Sequence, residues 1–143
     1  MVMDLFSRRI VGWSMAERMK ADLVIEALQQ AHTLRQPQYG CVFHCNRGSQ
    51  YTSRSFAKKA SQLKMHLSMS DVGCCYDNEV VERFFGSLKH EGLGHTARMN
   101  ELAVKQEIMQ FIRYYNFKRP HTANNGMSPL MYENSQIKVS CVA

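Results

Sequence analysis

Short apolar runs alternate along this chain with segments whose apolar residues recur at helical spacing, and turn-forming residues separate the two. A short run between turns fits a strand, whereas a repeat of about 3.6 residues fits an amphipathic helix. Strands that alternate with helices predict an α/β fold. The predicted elements of the first half are a hairpin over 1–15, a helix over 22–34 capped by Asp22, a buried strand over 41–43, a helix over 53–63 and a strand over 66–69.

Helices dominate the predicted second half. A polar loop over 73–78 leads to a helix capped by Asp77 or Asn78. Asn100 caps a longer helix that ends before Pro120, and a turn with one short terminal helix follows. The predicted buried faces are Val81, Phe84, Phe85 and Leu88 on the first helix, and Val104, Ile108, Phe111, Ile112 and Tyr115 on the second. The 143 residues, 45% of them apolar, are enough for one domain with a single core.

The composition favours a basic protein of the cytoplasm. Lys and Arg outnumber Asp and Glu by 18 to 12, which gives a formal net charge of +6. This excess favours a polyanionic partner such as nucleic acid, although a basic protein without such a partner would have the same composition. No apolar run is long enough to span a membrane, and residues 1–9 lack the features of a secretory signal. The five cysteines, an odd number, are therefore expected to be free thiols.

Two polar segments carry the residues best suited to chemistry: 44–51, after a predicted strand, and 76–89, on a predicted helix. Asn46 and Glu82, one in each segment, are separated by 35 residues. The two segments resemble the catalytic core of DDE transposases and retroviral integrases. The resemblance is strongest to the second-open-reading-frame transposases of insertion sequences, typified by Phe-His-Ser-Asp-Arg-Gly-Ser-Gln-Tyr. That family has Asp at the position of Asn46 and Glu at the position of Glu82.

The resemblance extends over nearly the whole chain. Residues 4–13 resemble the family's second and third strands, and 114–121 with 128–129 resemble its C-terminal signature. It implies an RNase H-like α/β fold, with 1–143 as a partial integrase or transposase catalytic core and 100–135 as its C-terminal helical signature. The family's first strand lies upstream of the matched segment, so we expect this chain to lack the first strand of the mixed sheet. Neighbouring strands would then expose unpaired backbone groups, which predicts low solubility or oligomerisation.

The reaction that the resemblance implies is metal-dependent DNA cleavage and strand transfer, in which water or a DNA 3′ hydroxyl attacks a phosphodiester. Two Mg²⁺ or Mn²⁺ ions about 3.5 to 4 Å apart activate the attacking oxygen and stabilise the leaving one, and such hard cations require anionic oxygen ligands. The resemblance assigns the catalytic and metal-binding positions to Glu82, beside the predicted buried stripe of its helix, and Asn46. Because the amide of Asn46 carries no negative charge, metal binding is predicted to be weak.

The family's first catalytic Asp lies on the strand that we expect to be missing. Asp4 does not replace it, because the resemblance places Asp4 on the second strand, where turn formation is the ordinary role of such a residue. With one carboxylate absent and another replaced by Asn46, the chain is predicted to be a transposase fragment that is inactive alone. The alternative is a non-catalytic nucleic-acid-binding remnant that interferes with a full-length relative.

Basic residues are predicted to contact DNA phosphates at four positions: Arg47, Lys89, Arg119 and His121. Lys89 lies two helical turns after Glu82, which would bring it near the same surface. Arg83 and Lys118 would extend this basic track, and the aromatic residues of 114–117 fit packing better than base stacking. The implied partners are insertion-element ends and target DNA, together with another copy of the chain or a full-length transposase.

A zinc site is a further alternative, since Cys41, His44, Cys45, Cys74 and Cys75 supply soft ligands in two clusters. The spacing of these residues argues against zinc. Cys41 belongs to a predicted buried strand, and the adjacent Cys74 and Cys75 are poorly placed to bind one tetrahedral ion. The sequence therefore favours an oxygen-ligand metal site over a zinc site.

Overall fold

The computed structural model describes residues 1–70, 79–93 and 100–140, with side chains up to residue 136. The chain divides into two units. The first unit consists of Met1–Val2 with Val11–Arg83, and the second unit consists of Met3–Ile10 with Phe84–Ala143. No helix in the described ranges is both long and apolar enough to cross a membrane.

Two short strands near the start form a two-stranded sheet, as the apolar runs around a polar break predicted. They are β1, Val2–Met3, and β2, Ile10–Gly12. In the turn between them, the backbone N–H of Asp4 donates to the carbonyl of Arg9 over 2.8 Å. The Asp4 carboxylate also accepts from the backbone N–H of Phe6 over 2.9 Å, which is the turn role expected of this residue type.

Helix α1, Ala21–Arg35, is the predicted first helix, but it begins earlier than expected. The predicted cap at Asp22 is wrong: Lys20 occupies the N-cap position without a side-chain hydrogen bond, and Asp22 lies in the first turn. An acidic side chain in the first turn still interacts favourably with the positive end of the helix dipole. Gly12 of β2 allows the strand to approach α1, because a Cβ at Gly12 would lie 2.1 Å from the carbonyl oxygen of Ala27.

Strand β3, Val42–Cys45, pairs in parallel with strand β4, His66–Met69, and helix α2, Arg54–Gln62, lies between them in the chain. The predicted strand, helix and strand are therefore confirmed in type and order. Ser53 caps α2, since its hydroxyl accepts from the backbone N–H of Phe56 over 3.2 Å. A parallel pair brings the carboxyl ends of β3 and β4 to the same edge.

Helices α1 and α2 form the core of the first unit. Its buried residues are Val24, Leu28, Phe56 and Ala60. The prediction of a buried strand over 41–43 is wrong for its first two residues, because Cys41 is exposed and Val42 is 62% exposed. Successive side chains of a strand point to opposite faces, and of these three residues only Phe43 packs against the core. An apolar run alone therefore does not determine which residues are buried.

Helix α3, Glu79–Ser87, continues into a π-helical turn, Leu88–Gly92. The later elements are α4, Glu101–Phe117, a 3₁₀ turn, Thr122–Asn124, and α5, Pro129–Ser140. The predicted cap at Asn100 is confirmed, since its Oδ1 accepts from the backbone N–H of Ala103 over 2.9 Å. The polar loop predicted over 73–78, with its candidate caps Asp77 and Asn78, lies outside the described residues.

Aromatic rings form the core of the second unit. The ring of the buried Phe84 lies 6.0 Å from that of Phe111 and 4.9 Å from that of Tyr115. Phe85, predicted to be buried beside Phe84, is 42% exposed, because α3 presents only a narrow stripe to this core. Gly92 lets the π-helical turn approach α4, since a Cβ at Gly92 would lie 2.9 Å from the Phe111 ring.

Polar side chains of the C-terminal elements hold the hairpin turn within the second unit. Asn116 accepts from the backbone N–H of Ile10 and donates to its carbonyl, both over 2.9 Å. Asn124 donates to the carbonyl of Ser7 over 2.7 Å, and Glu133 accepts from the Ser7 hydroxyl over 2.6 Å. Because Asn116, Asn124 and Ser7 are buried, these bonds satisfy groups that water does not reach.

Candidate functional site

The loop that follows β3 begins at Asn46, and the Asn46 side chain is used within that loop. Its Oδ1 accepts from the backbone N–H of Gly48 over 3.0 Å, as in an Asx turn. The carbonyl of Gly48 then accepts from the backbone N–H groups of Tyr51 and Thr52, over 2.9 and 3.1 Å. Asn46 is exposed. The loop therefore presents a neutral amide to solvent, and the amide oxygen is already engaged.

An imidazole links β3 to β4 just before this loop. His44 lies opposite Ser68 in the strand register. The Nδ1 of His44 is 3.0 Å from the hydroxyl oxygen of Ser68, and its Nε2 is 3.0 Å from that of Ser70. Ser68 and Ser70 are two residues apart, so their side chains share one face of the strand. His44 therefore fixes the carboxyl ends of the two strands relative to each other.

Arg47, a predicted DNA contact, is anchored at one edge of its guanidinium group. Its Nε donates to the carbonyl of Ser70 over 3.0 Å. Ser70 is only 4% exposed, and its backbone N–H donates to the carbonyl of Cys45 over 3.1 Å, which extends the strand pairing by one bond. Arg47 itself is exposed. The anchor thus fixes Arg47 without removing it from solvent.

Burial raises the pKa of two ionisable groups near the loop. It raises the pKa of the Cys45 thiol above its ordinary value. It also raises the pKa of the Tyr51 hydroxyl, and the nearby Cys45 raises that pKa further. The Tyr51 ring lies 5.4 Å from the ring of the buried Phe56. Neither group carries a negative charge near neutral pH, so neither supplies an anionic ligand beside Asn46.

Glu82, the predicted carboxylate ligand, lies on α3 and is exposed. The sequence predicted that Glu82 lies beside the buried stripe of this helix. The structure corrects that prediction, because Phe85, three residues later on the same side of the helix, is also exposed. Arg83, which the predicted basic track included, pairs with Glu79 over 2.6 Å. That pair is solvent-exposed and contributes little to stability, but it occupies the Arg83 side chain.

In the part of the chain that the structure describes, the side chains do not fit a two-metal centre. Among the residues that the structure describes, no three His, Cys, Asp or Glu side chains lie close enough together to hold a metal ion. Asn46 offers one neutral oxygen, and the Gly48 N–H already occupies it. A pair of hard divalent cations needs several anionic oxygens to overcome their mutual repulsion and the loss of hydration. The exposed carboxylate of Glu82 does not supply that set.

Arg119, another predicted DNA contact, is held by a carboxylate of the second unit. Its Nη2 and Nε lie 2.8 and 3.0 Å from the two carboxylate oxygens of Glu91, so the pair is bidentate. Its Nη2 also donates to the Ser87 hydroxyl over 3.2 Å, and its guanidinium carbon lies 5.8 Å from the centre of the Tyr115 ring. The hydrogen bonds from Arg119 lower the pKa of Glu91, and those to Glu91 raise the pKa of Arg119.

His121, also predicted to contact DNA, is packed against an aromatic ring. The centre of its ring lies 4.5 Å from that of Tyr115 in an edge-to-face arrangement. Its Nε2 is buried and has no hydrogen-bond partner within the described part of the chain. Burial lowers the pKa of His121, and the positive charge of Arg119 lowers it further. The imidazole is therefore neutral at physiological pH and attracts a phosphate less than an imidazolium would.

Lys89, the remaining predicted contact, lies in the π-helical turn and is exposed. That turn is closed by the backbone N–H of Leu93, which donates to the carbonyl of Leu88 over 2.9 Å. A π-helical turn holds more residues per turn than an α-helix, so the angular position of Lys89 differs from the one that an uninterrupted α-helix would give. Within the described ranges no carboxylate pairs with its ammonium group.

Sequence reasoning missed the residues that hold these positions. Ser68 and Ser70 alternate along a strand, and the pairing of that strand with β3 is the signal that would have placed both beside His44. The sequence contains no such signal that Glu91 pairs with Arg119. The two residues are 28 positions apart, and their pairing depends on the packing of the π-helical turn against α4.

Two family models match the chain, and both are described as integrase core domain. One matches residues 1–75 and the other matches residues 63–129. The matched stretches contain both Asn46 and Glu82, as well as the residues of the C-terminal signature up to Pro129. The resemblance that the sequence motifs predicted is therefore confirmed.

Curated relatives with similar sequences are insertion-sequence transposases. The transposase InsF for insertion sequence IS3fB of Escherichia coli strain K12 is 37% identical over 137 residues. The transposase for insertion sequence element IS904 of Lactococcus lactis subsp. lactis strain IL1403 is 40% identical over 131 residues. These alignments cover 95% and 91% of this chain but 48% and 52% of the relatives. The chain thus spans about half the length of the curated relatives it matches.

Solved structures with a similar fold are retroviral integrase catalytic cores. The HTLV-2 integrase catalytic core domain, in complex with magnesium in its trimeric form, has a TM-score of 0.71 and 18% identity, covering 91% of this chain and 80% of that one. The catalytic core domain of BIV integrase has a TM-score of 0.62 and 18% identity, covering 87% and 78%. At these identities the likeness concerns the fold alone, and it confirms the predicted RNase H-like α/β architecture.

Proposed function

The chain belongs to the integrase core domain family, and we propose that it is a transposition-related protein that binds DNA without cleaving it on its own. Its similarity to insertion-sequence transposases over more than nine tenths of its length supports the transposition-related role. Those relatives are about twice as long, so their complete activity is not assumed for this chain. Its net charge of +6 supports a polyanionic partner.

One observation carries the proposed loss of cleavage, namely the amide at position 46. Its oxygen accepts from the Gly48 N–H, and its nitrogen is a donor that repels a cation. When bound, a pair of divalent ions would activate the attacking oxygen and stabilise the leaving oxygen. We propose that Glu82 and Asn46 hold Mg²⁺ or Mn²⁺ too weakly for that chemistry. The remaining residues then bind DNA but do not transfer a phosphoryl group.

Among the basic residues, we propose Arg47 and Lys89 as the phosphate contacts. Both are exposed, and neither is paired with a carboxylate in the described part of the chain. Arg119 and His121 are better suited to shaping the surface, because Glu91 neutralises Arg119 and Tyr115 covers His121. Phosphate contacts of this kind position DNA without reading its sequence.

We further propose that the partner is another copy of the chain or a full-length transposase. Leu102 and Met109 of α4 are 67% and 55% exposed, and a separation of seven residues places them on one face of the helix. An exposed apolar pair of this kind favours association. Sedimentation velocity should show a concentration-dependent dimer or larger species. A monodisperse monomer at all concentrations, with no co-purification of a tagged full-length relative, would remove this part of the proposal.

DNA binding is tested by fluorescence anisotropy with a labelled duplex that carries an insertion-element end. Replacing Lys89→Gln should weaken binding and reduce the slope of log affinity against log salt by about 0.9, the effect of one lost phosphate contact. The matched control is Lys58→Gln, because Lys58 is also exposed but lies on α2, outside the basic track. Equal losses of DNA affinity in both variants would show that binding depends on net charge alone and not on a contact at Lys89.

Cleavage is tested on the same labelled duplex with Mn²⁺. The unmodified chain is expected to leave the DNA intact at protein concentrations that saturate binding. Nicking that requires Mn²⁺ and disappears in Glu82→Gln would contradict the proposal, because the existing donor set would then be sufficient. Nicking that survives Glu82→Gln would indicate a contaminating nuclease, and the preparation would be purified further and assayed again.

A further inference from the structure

The helical segment that carries Lys89 is packed closely against the second unit. Leu88 and Gly92, four positions apart, are its buried residues. A Cβ at Gly92 would lie 2.9 Å from the Phe111 ring and 3.2 Å from Cδ1 of Leu88, so the backbone here approaches more closely than a side chain would allow. The backbone bond from Leu93 to Leu88, which makes this turn π-helical, therefore forms where the buried face of the helix is fixed.

One guanidinium group holds the same segment at two points. Nη2 of Arg119 donates to the Ser87 hydroxyl over 3.2 Å, and its Nη2 and Nε lie 2.8 and 3.0 Å from the two oxygens of Glu91. Ser87 is the last residue of α3, and Glu91 lies four residues later in the π-helical turn. Arg119 thus contacts one residue before Lys89 and one after it. Ser87, Glu91 and Arg119 together form a clamp on this segment.

Arg119 is itself fixed by its surroundings. Its backbone N–H donates to the carbonyl of Tyr114 over 3.0 Å, and its guanidinium carbon lies 5.8 Å from the centre of the buried Tyr115 ring. The hydrogen bond from Arg119 lowers the pKa of Glu91, and a hydrogen bond from the Ser87 hydroxyl lowers it further. Glu91 is therefore ionised at neutral pH, and the clamp is closed.

Lys89 lies between the two clamped residues and is exposed, and no carboxylate pairs with it among the residues that the structure describes. A long side chain loses conformational freedom when it binds a phosphate, and a backbone that is fixed in advance leaves less freedom to lose. A π-helical turn also rotates the residues after it relative to those before it, so a change of helical register would point Lys89 in a different direction.

We infer that Arg119 is a positioning residue for the DNA phosphate contact at Lys89, because it fixes the helical register from which Lys89 projects. The inference rests on the proposed function, which assigns that phosphate contact to Lys89. It gives Arg119 and Glu91 a role in DNA binding without direct contact with DNA. Removing the negative charge of Glu91 should then weaken DNA binding, although charge alone predicts the opposite.

The experiment measures DNA affinity against salt by fluorescence anisotropy, with the labelled duplex that carries an insertion-element end. Arg119→Lys keeps the positive charge, but an ammonium group does not reproduce the fork that binds Ser87 and Glu91 together. It should therefore reduce the slope of log affinity against log salt by about 0.9, as Lys89→Gln does. The matched control is Arg113→Lys, the same exchange at an exposed position of α4 outside the clamp, which should leave the slope unchanged.

A double variant separates positioning from direct contact. In the Lys89→Gln background, Arg119→Ala should reduce the slope no further, because the contact that Arg119 positions is already absent. In the unmodified background, Glu91→Ala should reduce the slope as Arg119→Lys does. Its control is Glu101→Ala, the same loss of charge at the exposed start of α4, which should not weaken DNA binding.

A further control separates positioning from general stability. Asn100→Ala removes the cap of α4 and lowers stability without changing the clamp, so it should leave the slope unchanged at temperatures where the chain is folded. If Arg119→Lys does not fold, Ser87→Ala replaces it, because that change removes only the hydroxyl between Arg119 and Glu91. It should reduce the slope in the same direction.

The outcomes distinguish this inference from the proposed function. If Lys89→Gln leaves the slope unchanged, the phosphate contact is wrong and the inference falls with it. If Lys89→Gln reduces the slope but Arg119→Lys and Glu91→Ala do not, the contact stands and the role of Arg119 is wrong. A further loss of about 0.9 on adding Arg119→Ala to Lys89→Gln would make Arg119 a separate DNA contact and overturn the inference. An equal loss in Asn100→Ala would overturn it too, because lost stability would then explain the effect.

Discussion

The two units use their polar side chains in opposite ways. In the first unit, His44, Ser70 and Arg47 fix a loop whose leading residue, Asn46, faces solvent. In the second unit, the buried side chains of Asn116 and Asn124 bond to backbone groups of the hairpin turn. The first arrangement leaves an exposed side chain at the start of a loop, whereas the second arrangement stabilises the fold.

This difference shows that two segments of one chain can both resemble a family motif and still have different roles. The segment 44–51 and the segment 114–121 both resemble the family, and both contain several polar residues. In the first segment Asn46 faces solvent, whereas Asn116 in the second segment is buried. Substitutions in the second unit should therefore affect stability, and substitutions at position 46 should affect metal binding.

The largest expected effect is on stability, from Asn116→Ala. The change leaves the backbone N–H and carbonyl of Ile10 without partners in a buried place, which should lower the free energy of unfolding by about 3 kcal/mol. Urea unfolding monitored by circular dichroism measures the change. Asn134→Ala is the control, because Asn134 is exposed on α5. Similar losses in both variants would show that the Asn116 contacts are not stabilising.

A smaller loss is expected for Arg119→Ala. It removes the bidentate pair with Glu91, whose side chain is 39% exposed, so solvent screening limits the loss to about 1 kcal/mol. Arg119→Lys should recover only part of the lost stability, since an ammonium group does not reproduce both parallel hydrogen bonds. Urea unfolding of the three proteins at neutral pH tests this order. If Arg119→Ala were as stable as the unmodified chain while losing DNA affinity, Arg119 would be a DNA contact instead.

The pH dependence of stability gives a third, smaller effect. The pKa of Glu91 is lowered in the folded protein, so its contribution is present above the ordinary carboxyl pKa and is lost as pH falls through the folded value. The pKa of His121 is also lowered, so folding opposes protonation of the imidazole and stability declines as pH falls below the ordinary histidine pKa. His121→Phe should therefore flatten the stability profile between about pH 7 and pH 5. An unchanged slope would refute the role given to His121.

The smallest expected effect on stability comes from Asn46→Ala. Only one exposed hydrogen bond is lost, so the free energy of unfolding should fall by about 0.5 kcal/mol. The Gly48 amide should nevertheless exchange faster, because the Asn46 oxygen protects it. Hydrogen exchange followed by NMR measures that rate. If Asn46→Ala were as destabilising as Asn116→Ala, the contrast between the two units would disappear.

Much of the fold was predictable because its local signals agree. The period of the apolar residues located α2 and α4, the cap at Asn100 located the start of α4, and the motifs identified the family. Burial was less predictable: Val42 and Phe85 are apolar but exposed, since burial depends on which elements pack together. The ion pair of Arg119 was not predictable either, because its partner Glu91 is distant in sequence.

The most direct test of the account is Mn²⁺ titration calorimetry on three proteins: the unmodified chain, Asn46→Asp and Asn134→Asp. The last two gain the same charge, but only the first of them places it in the loop after β3. The account predicts that Asn46→Asp binds Mn²⁺ about tenfold more tightly than the other two, which is about 1.4 kcal/mol. Equal affinity in all three proteins, or an equal gain in Asn134→Asp, would contradict the claim that metal binding was lost at position 46.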